Sequence, residues 1–286
     1  MRIDDRFEKP PILIGGCGRS GTSLLLSIIS ARPSIFAIPN ETGAFCPTAY
    51  SENIDRSASL ETNRIRDILR SADIKPGATR WCEKTPKNVL FFESILKTLG
   101  SDVRILNIVR DGRDVLTSRH PQRFTSSWVG IDRWVRDVSA GMPFDTHPQV
   151  FVIRYEDLVL KFNETLEKIC GFLDEPLDQN LLDWHRHTRV RTHGAWSDNV
   201  AEIHGQSIGR WRLPQYKKVV AKMMSDGDAI GLLKNYGYVN SDQKGWGTWK
   251  PSSAVRRLKR RVPEARRTAV KRFLGLTDSG WKRSGG

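Results

Sequence analysis

A chain of 286 residues, 38% hydrophobic and 27% charged, has material for one large folded domain or a domain with an appendage. No apolar run reaches the roughly 20 residues that a helix needs to cross a bilayer, which argues against a helical membrane protein. The net charge of +14 invites a nucleic-acid reading, but residues 241–286 carry 13 Lys/Arg against 3 Asp/Glu and account for +10 of it. The body of the chain is close to neutral and shows no nucleic-acid reading module, so no nucleic-acid partner is expected.

In chain order, Met1 to Pro10 is charged, with no apolar stretch of the secretory kind, so a cytoplasmic location is expected. Residues 11–16 (PILIGG) are a short apolar run ending in glycines, which predicts a buried strand. A tight loop at 18–22 and an apolar helix at 23–30 follow, then a second short strand at 34–38. Residues 103–109 (VRILNIV) and 150–155 (VFVIRY) predict two more strands, each leading into a helix, from about Arg113 and over 163–173. Strands separated by long helical stretches predict an α/β fold with a parallel sheet covered on both faces. The polar connections 42–80, 119–147 and 186–209 read as irregular functional loops. The folded domain is expected over residues 1–240, with 241–286 as a basic tail.

The cysteines Cys17, Cys46, Cys82 and Cys170 are scattered and read as reduced thiols. His185 and His187, two apart, would point away from each other on a helix, and no metal is expected.

Gly15-Gly16-Cys17-Gly18-Arg19-Ser20-Gly21-Thr22-Ser23 lies between the first strand and helix. Glycines there let backbone N–H groups converge on an anion, and the helix N-terminus adds partial positive charge. The alternative is an ordinary glycine turn. Gly16 and Gly21 have the spacing of a Walker A loop, but its lysine would stand at Thr22 and is missing. The basic residue is Arg19, inside the loop, which weakens a kinase or NTPase reading without removing it. Downstream, Arg110-Asp111-Gly112-Arg113-Asp114-Val115-Leu116-Thr117-Ser118 follows a strand. Strand–turn–helix geometry can bring Arg110 and Ser118 to one anion; a surface turn with charge pairing by Asp111 and Asp114 is the alternative.

Together these two motifs resemble those of the PAPS-dependent sulfotransferases (PAPS is 3′-phosphoadenosine 5′-phosphosulfate), and in particular the bacterial, tyrosylprotein and carbohydrate members. The resemblance covers about residues 10–240 and implies a P-loop-like three-layer fold with a central parallel β-sheet. It implies that Gly18, Arg19, Ser20, Gly21, Thr22 and Ser23 hold the 5′-phosphosulfate, and that Arg110 and Ser118 hold the 3′-phosphate. Arg154-Tyr155-Glu156-Asp157-Leu158 resembles a family strand end that places Tyr155 near the adenine or makes it structural. Ser207-Ile208-Gly209-Arg210-Trp211 resembles a loop folding over the nucleotide. Arg210 would supplement the 3′-phosphate site, and Trp211 would pack on the base or sit buried as structure.

Sulfuryl transfer needs alignment, charge neutralisation and removal of the acceptor's proton. By resemblance, Arg19 and Lys84, in Cys82-Glu83-Lys84-Thr85-Pro86, are the cations, and PAPS is the donor with no metal. Pro86 restricts Thr85 to extended backbone, which predicts Lys84 on a loop; a solvent-facing lysine is the alternative. Glu41, in a Glu-Thr pair, is the expected base, unless it only binds substrate, with Glu83 and His120 in reserve. A hydroxyl-bearing acceptor follows, with a carbohydrate or glycolipid favoured. Around Pro263, the apolar residues Val255, Leu258, Val262, Val270, Phe273 and Leu274 lie among nine Lys/Arg. They suggest basic amphipathic helices on an anionic membrane, or a solvated tail. A nucleotide kinase or NTPase, and a non-catalytic nucleotide-binding protein, are the rival readings.

Overall fold

The computed structural model describes residues 3–118, 127–190 and 205–239. Strand β1 (Ile12–Gly16) is buried along its whole length, as a continuous aliphatic run in the middle of a parallel sheet should be. Helix α1 (Thr22–Ser30) and strand β2 (Ile35–Ala37) follow, then helix α2 (Thr62–Ser71) and strand β3 (Arg80–Lys84). A 3₁₀ turn (Pro86–Phe91) leads into α3 (Phe92–Leu99), then β4 (Arg104–Val109), α4 (Gly112–Leu116) and α5 (Ile131–Gly141). Strand β5 (Val150–Arg154) runs into α6 (Tyr155–Leu160) and α7 (Phe162–Leu173). The short helices α8 (Gln179–Leu182) and α9 (Trp184–His187) come next, with α10 (Lys217–Met223) and α11 (Gly227–Asn235) closing the described part. None of the described helices is long and apolar enough to cross a membrane.

The five strands are parallel in the order β2-β3-β1-β4-β5. Side chains alternate across the sheet. Ile12 and Ile14 pack with α1, α7 and α9 on one face, while Leu13 packs with α2, α3 and Trp81 on the other. A third apolar cluster, around Trp134, Met223 and Leu232, joins α4, α5, α10 and α11. The result is a three-layer P-loop-like α/β fold. From β1 the chain passes to the edge strand β2, returns inward to β3, then crosses β1 to β4 and β5. The C-terminal end of β1, where the chain order reverses, is the usual ligand position in such sheets.

The four strands expected from the sequence are present to within a residue or two. Two helices lie inside connections expected to be irregular, and an unexpected strand follows the first of these connections. Helix α2 buries Ile65 and Leu69, helix α5 buries Trp134 and Val138, and strand β3 is wholly buried despite the sequence RWCEK. Lys84 is thus the last residue of a strand, not part of a loop. The restriction imposed by Pro86 does hold, with Thr85 extended at φ −129°, but that backbone simply continues the strand.

Candidate active site

The first anion loop leaves β1 at Gly16 and turns back through a hydrogen bond from the Ser20 N–H to the Cys17 carbonyl (3.2 Å). Gly21 sits at φ 98°, just before α1, and a Cβ there would lie 2.5 Å from the Tyr155 ring. Only glycine meets both demands. Ser20 is fully buried, and its hydroxyl has no hydrogen-bond partner among the described residues. A buried orphan hydroxyl under a helix N-terminus suits an anionic ligand.

The loop's cation is tied to the second motif. Arg19 Nε donates to Ser118 Oγ (2.8 Å), and Arg110, at the end of β4, donates to the Arg19 carbonyl (3.0 Å). Arg110 also donates to the Ser207 carbonyl (2.6 Å) and lies over the Tyr155 ring, 4.2 Å from its centroid. The Tyr155 and Ser207 hydroxyls share a hydrogen bond of 2.8 Å. Burial first, and Arg110 second, press the Arg19 guanidinium below its usual pKa. Two cations held against each other in a partly buried spot are a standing demand for an anion. Ser118 lies just past the end of the short α4, beyond its cap at Thr117.

The later loop is fastened by a residue that the sequence left as a surface charge. Asp114 accepts the Gly209 N–H (2.7 Å) and the Trp211 N–H (3.2 Å). Burial pushes its carboxyl up, and these two donors partly offset that. Trp211 is half-exposed, its indole between Arg113 (3.9 Å) and Arg212 (4.5 Å), rather than buried in a core. Arg210 points to the Tyr216 hydroxyl (3.2 Å), whereas it is Ser207 that meets Arg110. Asp111 caps α4 and pairs with Arg113 at 2.6 Å, the local charge pairing that the alternative reading anticipated.

On the other flank of β1, register pairs Ile14 with Lys84. Lys84 is fully buried and contacts Glu41 at 2.6 Å, while the Glu41 side chain is one-third exposed (33%). Lys84 is therefore not a solvent-facing lysine. Beside this pair, Lys87 is buried with its ammonium 5.8 Å from the Tyr50 ring, and burial lowers its pKa. Arg133 packs on Gly18, and the fully buried Asp137 holds Arg136 at 2.9 Å and Arg133 at 3.5 Å. His120 lies outside the described residues.

Comparison with known proteins adds the decisive observation. The profile described as "Sulfotransferase family" matches residues 10–179, more than half of the chain. The chain belongs to the sulfotransferase family. The matched stretch contains Arg19, Glu41, Lys84, Arg110, Ser118 and Tyr155, and stops short of the loop at Ser207–Trp211.

Among relatives of this sulfotransferase is protein-tyrosine sulfotransferase A of Caenorhabditis elegans, 24% identical over 89% of this chain and 74% of the worm protein. The sulfotransferase domain of the Synechococcus PCC 7002 olefin synthase superposes with a TM-score of 0.57 at 17% identity, covering 84% of this chain and 98% of that one. The sulfotransferase domain from the curacin biosynthetic pathway gives a TM-score of 0.55 at 16% identity, over 82% and 99% of the two chains. Family membership decides against the kinase and NTPase reading that the glycine spacing left open. Sequence reasoning missed Asp114 as a loop anchor and the Lys87–Arg133–Arg136–Asp137 group. The partners of Asp114 lie 95 and 97 residues away, with no local signal, whereas the i,i+4 spacing of Arg133 and Asp137 was a local signal that could have been read.

Proposed function

We propose that this sulfotransferase moves the sulfuryl group of PAPS to an acceptor hydroxyl of a carbohydrate or glycolipid. The observation that carries the donor assignment is the meeting of Arg19, Ser118 and Arg110, from two separate motifs, at one partly buried cationic spot beside an orphaned Ser20 hydroxyl. PAPS brings an activated sulfuryl group attached to its 5′-phosphate, together with a 3′-phosphate. Gly18, Arg19, Ser20, Gly21, Thr22 and Ser23 would hold the 5′ end by amides, hydroxyls and one guanidinium. Arg110 and Ser118 would take the 3′-phosphate, and Tyr155 would flank the base. The segment Ser207, Gly209, Arg210 and Trp211, clasped by Asp114, would close over the nucleotide.

Glu41 is the base in this reading: it accepts the acceptor's proton as the acceptor oxygen gains its bond to sulfur and the bond from sulfur to the 5′-phosphate oxygen breaks, releasing 3′,5′-ADP. Lys84 and Arg19 are the cations that offset the negative charge left on the donor side. Around Asp137, the three cations Lys87, Arg133 and Arg136 leave an excess of two positive charges among the described residues. That excess favours an acceptor whose hydroxyl neighbours an anionic group. The worm relative's name points to protein tyrosine, so a tyrosyl peptide is the competitor to include. Residues 241–286 lie outside the described residues; their composition supports contact with anionic membrane, which a glycolipid acceptor would require.

Calorimetric titration with 3′,5′-ADP against 5′-ADP and ATP tests the donor assignment. A clear preference for 3′,5′-ADP, lost in Arg110→Ala and Ser118→Ala, is the expected result; a preference for ATP would sink it. PAPS consumption with sugars, lipid-linked sugars and tyrosyl peptides then tests the acceptor. Turnover on the peptides alone would replace the carbohydrate reading.

A further inference from the structure

Glu83 precedes Lys84 on β3, and strand alternation sends its side chain to the opposite face of the sheet. It is fully buried, and both carboxylate oxygens are engaged. Oε1 accepts the Thr42 N–H (3.3 Å), the Thr42 hydroxyl (2.9 Å) and the Thr85 hydroxyl (2.5 Å), and Oε2 accepts Asn88 Nδ2 (2.8 Å). The two hydroxyls that donate to Glu83 use their own oxygens to accept main-chain N–H groups. Thr85 Oγ1 accepts from Gly43 (3.2 Å), and Thr42 Oγ1 accepts from Ala44 (3.2 Å). Three successive amides, those of Thr42, Gly43 and Ala44, therefore end on Glu83 directly or through one hydroxyl. This is the segment that immediately follows Glu41.

Burying a carboxylate is costly, and packing alone would be met by an apolar side chain of similar size. What the carboxylate supplies is a fixed path for the main chain. Aligned acceptors on one rigid strand hold the 42–44 backbone, so Glu41 comes off it facing Lys84, whose own position is set by the same strand. The two faces of β3 thus divide the work, with Lys84 in front in contact with Glu41 and Glu83 gripping the chain from behind.

We propose that Glu83 is a positioning residue for sulfuryl transfer, fixing the Glu41–Lys84 pair by anchoring residues 42–44 through Thr42 and Thr85. The inference rests on the reading of Glu41 as base. It excludes Glu83 as the base itself, because every oxygen is occupied and the carboxylate has no exposure. Misplacing a reacting group by about 1 Å costs about a hundredfold in rate, which sets the expected scale.

The test uses the full chain, with PAP release from PAPS as the turnover readout. Glu83→Gln keeps an oxygen for Thr42 and Thr85 and gives up only the Asn88 contact, while Asn88 Nδ2 retains the Ile14 carbonyl (3.2 Å), so turnover should stay within about fivefold of wild type. Glu83→Leu removes every acceptor and should lower kcat about a hundredfold. In Glu83→Leu the affinity for 3′,5′-ADP should hold, and exchange of the 42–44 amides should quicken about tenfold or more. Thr85→Val, a milder change that removes the Gly43 link, should move kcat and amide exchange the same way by a smaller factor, and it decides the matter if Glu83→Leu does not fold.

A Glu83→Gln variant as inactive as Glu41→Gln would make Glu83 a reacting group and overturn the proposal. Unchanged turnover in Glu83→Leu or in Thr85→Val, or unchanged 42–44 exchange, would overturn it equally. If the wild-type chain consumes no PAPS, the functional reading fails first, visibly at wild type rather than at the variants, and takes the positioning role with it.

Discussion

The proposed donor side and the proposed acceptor side hold charge in different ways. On the donor side, amides, hydroxyls and guanidiniums overlap: Arg110 touches Arg19, Ser207 and Tyr155 at once, and Asp114 fastens the loop that passes over them. Any one contact is backed by its neighbours. On the acceptor side the two groups proposed to react, Lys84 and Glu41, form one ion pair at the end of one strand, with its support behind the sheet. Redundancy suits binding, where many modest contacts add. Proton removal and charge neutralisation fall on few atoms, whose placement matters more than their number.

The sharpest way to break this comparison is at Glu41. Glu41→Gln should lower turnover about a thousandfold by removing the base, with 3′,5′-ADP affinity unchanged in calorimetry. Wild-type activity in that variant would end the assignment. Lys84→Ala should cost about a hundredfold in kcat and little in donor affinity; the reverse pattern would move Lys84 to the donor side. Arg110→Ala should act on binding, weakening 3′,5′-ADP about ten- to a hundredfold as charged hydrogen bonds are lost. A smaller effect at Arg110 than at Ser118 would show that the donor-side contacts are less shared than their geometry indicates.

The smallest effect is a slope. Burial holds the Glu83 carboxyl above its ordinary range, with hydrogen bonds from Thr85, Asn88 and Thr42 opposing it. The folded chain therefore keeps that proton to higher pH than the unfolded chain does. Stability from this group falls as pH rises from the unfolded value, about 4.5, through the folded one. Across that window, stability in Glu83→Gln should rise more, or fall less, with pH than in wild type, as thermal unfolding would show. An identical slope would mean that the hydrogen bonds fully offset the burial.

The turns proposed to hold the donor were legible in the sequence because each is a contiguous turn at the end of an apolar strand, where glycines and basic residues stand out. The acceptor side was only partly so. Glu41 and Lys84 were found through family resemblance, but β3 was hidden because a strand reading Arg-Trp-Cys-Glu-Lys looks solvent-exposed. Its charges are buried because each meets a partner far away in sequence: Arg80 reaches the Leu173 carbonyl at 2.9 Å, and Glu83 reaches Thr42. Helix α5 was missed for a different reason: Asp137, its deepest charge, is neutralised locally by Arg133 and Arg136 of the same helix, and a stretch so dense in charge reads as solvent-exposed. Asp114 looked like half of a local charge pair, yet its ligands are amides at Gly209 and Trp211. Tertiary neutralisation of charge leaves no period in the sequence.

Arg19 adopts a left-handed backbone conformation, φ 69°, that an L side chain takes only at a cost of about 1–2 kcal/mol. Glycine would take it freely, so a search among random variants for heat resistance alone should favour Arg19→Gly, and should thereby select chains that endure heating better while losing the cation at the centre of the donor site. Endurance and the proposed donor contact are set against each other at this single position.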